Sequence, residues 1–212
     1  MVNLTRIYTR TGDAGTTALG DMSRTTKTDP RLAAYADVDE ANSAIGVVLA
    51  TRSQSAGGMD EGGVDDGGLD ADVVRLLRRV QNDLFDVGAD LSTPLSDTST
   101  GRQAPLRVRE EYVAELEAAC DHYNADLAPL RSFVLPGGTV AAAYLHVART
   151  VTRRAERSTW AAIEVHGTAP DGGVNPVAAR YLNRLSDLLF ILARQANAGH
   201  DDVLWKPGGE RG

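Results

Sequence analysis

Three stretches of the chain carry more chemistry than packing requires. The first, Thr9-Arg10-Thr11-Gly12-Asp13-Ala14-Gly15-Thr16-Thr17, mixes glycine with hydroxyls. Glycine lets backbone N–H groups turn toward an anion and threonine adds donors, a composition able to cradle phosphate. The same composition also makes an ordinary polar turn. Lys27 follows close behind and is within reach of the same anion, although a lone lysine is normally solvated. The second stretch, Arg149 to Arg157, holds four arginines in nine residues. At about 100° per residue, Arg149 and Arg153 each lie about 200° from Val151, and Glu156 and Trp160 continue their side. Arginine makes planar, bidentate contacts with phosphates and carboxylates. An anion site and a solvated face with Glu156 pairing locally both fit this pattern. The third stretch, Tyr181 to Leu189, puts Asn183 and Asp187 one helical turn apart on a shared face. Asparagine in a helix interior usually makes a hydrogen bond there; a surface Arg184–Asp187 ion pair is the plainer alternative.

The commoner catalytic signatures are missing. His122, His146, His166 and His200 form no i, i+4 pair and no HExxH. No G-x-S-x-G elbow is present. Gly15 and Gly20 supply half of a P-loop, but Asp21-Met22 stand where Lys-Ser/Thr belongs. A single cysteine, Cys120, rules out an internal disulfide and a multi-cysteine zinc site.

The elements that must position these residues are helices. Asp29-Pro30 is a helix-start signal, followed by Tyr35, Val38, Asn42, Ile45 and Leu49 at steps of three and four to about Arg52. Val73, Leu77, Val80, Leu84, Val87 and Leu91 form a second seam, closed by Pro94. Val113, Leu116, Cys120, Tyr123 and Leu127 mark a third helix, with Cys120 as a small packing residue. Thr139 caps a fourth, whose apolar face reads as Val140, Tyr144, Val147 and Val151. Asn175-Pro176 opens a fifth, burying Val177, Tyr181, Leu185, Leu188 and Leu192. Strand signals are limited to Arg6–Thr9. The expected architecture is a single all-α domain, a five-helix bundle with an extended N-terminal arm over residues 1–28. A flexible Gly/Asp-rich insert over 53–70 and a polar tail over 198–212 complete it.

With 212 residues, 42% of them hydrophobic, the chain has material for a sizeable core. A net charge of −7 makes it a poor bulk partner for nucleic acid or anionic membrane. No apolar run approaches a membrane span, and the opening residues lack the apolar stretch of a signal peptide, which predicts a cytoplasmic protein. Twenty of its 22 basic residues are arginine, a bias that base composition explains.

Taken together, TRTGDAGTT with Lys27, YADVDEANSAIG, SFVLPGG, RTVTRRAERS and YLNRLSDLLF resemble the ATP:cob(I)alamin adenosyltransferases of the propanediol-utilisation type, the corrinoid adenosyltransferases. The five motifs occur in family order from Arg6 to about Gln195. The resemblance implies a homotrimer of five-helix bundles with active sites between subunits, moving the 5′-deoxyadenosyl group of ATP to the cobalt of cob(I)alamin and releasing triphosphate. Thr9, Arg10, Thr11, Gly12, Thr17 and Lys27 would line the phosphate path. Arg153, Arg154, Ala155, Glu156, Arg157 and Asn183 would hold ATP from the bundle side. Arg149 would pair with Asp39 across the interface, and Phe133 would sit against the corrin and keep the lower ligand off cobalt. Mg²⁺ would accompany ATP, with Asp13 or Glu156 as the carboxylate to help hold it. Handover of product to an adenosylcobalamin-dependent mutase is a further implication. Two departures stand out: the insert is longer than the resemblance requires, and residue 14 is alanine where many members carry a charge. The alternatives are a non-catalytic corrinoid-binding or handover module, against which the nucleotide arm argues, and a structural bundle with no small ligand, which leaves the stacked arginines unexplained.

Overall fold

Side-chain caps start four of the five helices. Asp29 accepts from the Arg31 amide at 2.8 Å and so opens α1 (Pro30–Ser55), where proline sacrifices no intrahelical bond. Asp70 accepts from Asp72 N to start α2 (Ala71–Ser92). Thr139 accepts from Ala142 N to start α4 (Val140–His166), and Asn175 from Val177 N to start α5 (Pro176–Gln195). Only α3 (Glu110–Asn124) begins without such a bond. The structure, a computed structural model, describes residues 8–55, 69–97, 104–197 and 202–208.

Polar contacts between helices define their directions. Asn42 donates to Gln81 O at 3.0 Å and Arg31 to Leu91 O at 2.9 Å, so α2 runs antiparallel to α1. Ser158 Oγ donates to Asp37 and Arg154 pairs with Asp37 and Glu40, which sets α4 antiparallel to α1. Arg184 meets Glu117 at 3.1 Å and Arg180 pairs with Glu110, so α3 runs parallel to α5. Helix α5 is central, burying Tyr181, Leu182, Leu185, Leu188, Leu189 and Leu192 against α2, α3 and α4. Each such leucine contributes about 1.5–3 kcal/mol by leaving water.

Two buried charges organise one end of the bundle. Arg31, 1% exposed, donates to the carbonyls of Leu91, Gly172 and Gly173. Asp90, also 1% exposed, accepts from Arg107, the Val108 amide and Asn175. Neither carries an unmet valence into the core, which is the condition for burying charge.

The expected helices stand, but several details around them need correction. The apolar face assigned to α4 is displaced: Val140, Tyr144 and Val147 are 60%, 41% and 51% exposed. Of the expected face Val151 alone is buried, and the buried stripe runs through Ala141, Ala142, Leu145, His146, Ala148, Val151, Thr152, Ala155, Thr159 and Ala162. Small residues let α4 lie close to its neighbours, and the two threonines pass as core because their hydroxyls donate to Ala148 O and Ala155 O at 2.8 Å. Leu127 lies beyond α3. The arm contains an unforeseen hairpin, β1 (Thr16–Ala18) paired antiparallel with β2 (Arg24–Thr26). Of the strand expected over 6–9, Arg6 and Ile7 lie outside the described residues and Tyr8-Thr9 are not in a strand. The expected insert is also narrower: α1 continues to Ser55 and Leu69 is buried, while 56–68 lie outside the described residues.

Candidate active site

Helix α4 carries the arginines along one side. Arg149 is half-buried, and its Nε has no hydrogen-bond partner. Burial and the neighbouring Arg153 both push the Arg149 pKa down. One turn on, Arg153 is exposed and, like Arg157, makes no ion pair among the described residues. These two line an open recess of about 380 Å³ with Thr150, Arg154, Glu156 and Asn183. Asn183 donates to Glu156 Oε1 at 3.1 Å, so α5 completes the recess wall. Glu156 therefore pairs with an amide rather than neutralising an arginine. Arg154 is committed to Asp37 and Glu40 on α1, and the Ala155 methyl faces the core. Asp187 takes the plainer role, pairing with Arg184 at 2.6 Å.

A second recess, about 770 Å³, lies one helical turn away toward the start of α4. Arg149, Phe133, Phe190 and Trp205 line it together with Leu130 to Val134. Phe133 is 78% exposed and meets Trp205 edge-on, with centroids 6.2 Å apart. Its loop is held by backbone bonds to the C-terminal segment: Trp205 N donates to Phe133 O at 2.7 Å and Leu135 N to Val203 O at 2.8 Å. The other end of the loop is fixed at Gly138 (φ +103), where a Cβ would collide with the Asn197 amide. Asn197 accepts from Thr139 N and donates to Gly137 O. Beneath this recess His146 is 3% exposed, stacks edge-on with Phe190, and has no partner for either ring nitrogen. Burial, and then Arg149, hold its pKa below the ordinary histidine value.

The arm is built around Arg24, which sequence reasoning missed. Its guanidinium donates to Thr11 O at 3.2 Å and to Thr16 Oγ1. Thr9 and Thr11 hydroxyls are 2.9 Å apart, and Arg10 adopts a left-handed φ of 62°, sparsely populated by non-glycine residues. The Lys27 ammonium rests where a Cβ on Gly12 would come within 3.1 Å, and its amide donates to Gly15 O at 2.9 Å. Thus Lys27 and the glycine turn do converge, with Thr17 alongside on β1. No arm residue among the described ones lines either recess. His166, the last residue of α4, bonds Asp29 at the arm's base; Arg153 is thirteen residues back along the helix, roughly 20 Å away at about 1.5 Å per residue. Asp39 is exposed on α1 and does not meet Arg149 within the chain.

Other expectations resolve simply. Cys120 is half-buried, and burial pushes its thiol up to about 11, so it is inert packing. Among the described residues no cluster of three or more His, Cys, Asp or Glu could hold a metal, and no helix is long and apolar enough to cross a membrane. Sequence reasoning also missed Trp205 and Phe190; the one signal for Trp205 was a large aromatic in an otherwise polar tail.

Residues 7–196 match the cobalamin adenosyltransferase family. The chain belongs to that family. The corrinoid adenosyltransferase of Mycobacterium tuberculosis is 57% identical over 210 residues, covering 99% of this chain and 97% of the relative. The corrinoid adenosyltransferase of Bacillus subtilis is 39% identical, covering 91% and 87%. Among solved structures, a variant PduO-type ATP:corrinoid adenosyltransferase from Lactobacillus reuteri, complexed with cobalamin and ATP, aligns with TM-score 0.77 at 33% identity, covering 95% of this chain and 97% of that one. Of this chain's two recesses, one is lined by arginines and the other largely by aromatic and aliphatic side chains.

Proposed function

We propose that this protein transfers the 5′-deoxyadenosyl group of ATP to the cobalt of cob(I)alamin, giving adenosylcobalamin and triphosphate. The observation that carries the reading is the adjacency of the two recesses. Unpaired Arg153 and Arg157 face the cationic one, and Arg149, a single turn from Arg153, borders the aromatic one.

Reduced cobalt is itself the nucleophile, so the protein needs no Ser-His or Cys-His base. The Co–C bond forms as the C5′–O bond breaks, and triphosphate leaves with the electron pair. Its charge grows at the oxygen that departs, where Arg153, Arg157, Lys27 and the arm's amides stabilise it more than they stabilise bound ATP. Holding C5′ in line with cobalt supplies the entropic part of the acceleration. Phe133 lies against the corrin and excludes the lower axial ligand. The cofactor carries the difficult chemistry, and the chain binds, orients and handles charge.

Mg²⁺ fits this scheme as a companion of ATP. It favours phosphate oxygens, water and one or two carboxylates over an all-protein cage. Asp13 in the arm and Glu156 beside the arginines are the carboxylates of that kind, and among the described residues neither makes an ion pair.

In this reading the working unit is a homotrimer. The base of one chain's arm, at Asp29, lies roughly 20 Å along α4 from that chain's own Arg153, and a neighbour's arm closes each site. The exposed Val140, Tyr144 and Val147 face of α4 supplies apolar surface for that packing, and a neighbour's Asp39 answers the unpartnered Arg149. The protein works in the cytoplasm and hands product to an adenosylcobalamin-dependent mutase.

The test is anaerobic incubation with ATP and chemically reduced cobalamin. Loss of the cob(I)alamin absorbance with stoichiometric triphosphate is the expected result. Tight corrin binding with no triphosphate would leave a carrier in place of an enzyme.

A further inference from the structure

We infer that His166 and Asp29 form a latch that fixes the arm's pose on the bundle, making His166 a positioning residue for ATP although it lines neither recess. The inference rests on the reading of the arm as a phosphate cradle.

Three elements end on one carboxylate. Asp29 Oδ1 accepts from the Arg31 amide at 2.8 Å, which caps α1, and from His166 Nε2 at 2.8 Å, which brings in the C-terminus of α4. Asp29 Oδ2 accepts from the Thr25 hydroxyl at 2.7 Å, and Thr25 lies on β2, two residues before Lys27. Burial alone would raise the Asp29 pKa; the Thr25 hydroxyl, the Arg31 amide and His166 outweigh it and hold the carboxyl below its usual value. The group is therefore a filled, charged acceptor with all of its local donors in place.

Among the described residues, few other hydrogen bonds fasten the arm to the bundle. Gly20 N donates to Ser92 O at 2.8 Å near the hairpin tip, while most of its remaining bonds are internal, as between β1 and β2 or from Arg24 to Thr11 and Thr16. The pose of Lys27 and the Gly12 turn relative to α4 is thus set largely at Asp29. His166 adds something that a cap does not need. Asp29 would still cap α1 through Arg31 without it, but the carboxylate would lose its tie to α4, and with it the fixed pose in which the bundle presents the arm to a neighbour's arginines. A charge-assisted bond of this kind is among the stronger polar contacts available.

The separation of cap from latch makes the idea testable. In His166→Ala, the Kd for ATP measured by calorimetry should rise about tenfold, in line with loss of one charge-assisted contact's worth of preorganisation. The KM for ATP should rise with it, while kcat at saturating ATP and the KM for cobalamin stay within about twofold. Amide exchange should quicken at Lys27 and in the hairpin, and stay unchanged in α5. His166→Gln, whose amide nitrogen takes the place of Nε2, should restore ATP affinity. Thr25→Val severs the arm from the same carboxylate without touching α4 and should repeat the affinity loss, which covers the case in which His166→Ala fails to fold. Lys27→Ala serves as the reference. If it weakens ATP while His166→Ala and Thr25→Val do not, the latch is overturned and the arm reading stands. If Lys27→Ala itself leaves ATP binding unchanged, the arm reading falls and the latch with it. A glutamine variant no better than alanine would also overturn the latch.

Discussion

Truncating Phe133 separates stability from cofactor chemistry. The side chain is 78% exposed, so about one-fifth of it is covered, chiefly by the edge of Trp205. A buried phenylalanine cut to alanine costs about 3–5 kcal/mol. Scaled to the covered fraction, Phe133→Ala should cost about 1 kcal/mol or less, a melting shift of roughly 2–4 °C for a chain of this size. Its loop keeps its backbone bonds to Val203 and Trp205, because those use no side chain of residue 133. ATP binding should therefore persist. Turnover should be measured twice under anaerobic conditions, once from pre-reduced cob(I)alamin and once from cob(II)alamin with a reductant. If Phe133 keeps the lower ligand off cobalt, the second rate falls much further than the first, since that ligand makes cob(II)alamin harder to reduce. Equal losses in the two assays, or a drop in melting temperature above about 10 °C, would refute the reasoning.

Three further predictions follow from the same geometry. Arg153→Ala should lower turnover at subsaturating ATP by at least about 10- to 100-fold through loss of a charge-assisted phosphate contact. Its melting temperature should hold or rise slightly, because like charges at i, i+4 cost a few tenths of a kcal/mol; near-normal activity would contradict the assignment. Asp90→Ala should destabilise the fold by about 3 kcal/mol or more in a denaturant titration, leaving Arg107, Val108 N and Asn175 short of an acceptor. A loss below about 1 kcal/mol would mean the nearby carbonyls suffice for Arg107. His146, with its depressed pKa, binds a proton more readily unfolded than folded, so it contributes nothing above the ordinary histidine value and costs stability as pH falls below it. The slope is at most about 1.4 kcal/mol per pH unit, and His146→Leu should flatten it; an unchanged pH profile would count against this.

Much of the fold was legible because its signals are local. Caps at Asp29, Thr139 and Asn175 are fixed by side chains reaching two or three residues along the chain, and the seam of α2 repeats large apolar residues where they are buried. The α4 stripe was misplaced because its core side is alanine and threonine, whose contribution comes from close approach and not from size. The arginine cluster was visible from charge density alone. Which arginines stay unpaired was not, since that depends on Asp37 and Glu40, more than a hundred residues away, claiming Arg154 and leaving Arg153. The aromatic recess was hidden for a similar reason: Phe133, Phe190 and Trp205 come from three segments, and long-range contacts, the bridge between Val134 and Leu204 among them, bring the last of them in.

Helix α4 serves as the molecule's measuring rod. The capping threonine at its start follows directly on the aromatic loop, Arg149 and Arg153 mark its middle, and His166 at its end meets the arm. Positions along a helix come in units of about 1.5 Å and about 100°. One residue inserted between Arg149 and Arg157 would swing everything beyond it by more than a quarter of a turn, carrying Arg157 off its recess and His166 off Asp29. A loop lengthened by several residues exacts only a slowly growing entropy. The chain can therefore drift in length through its connections, but this rod must keep its count of graduations for the two substrates to meet.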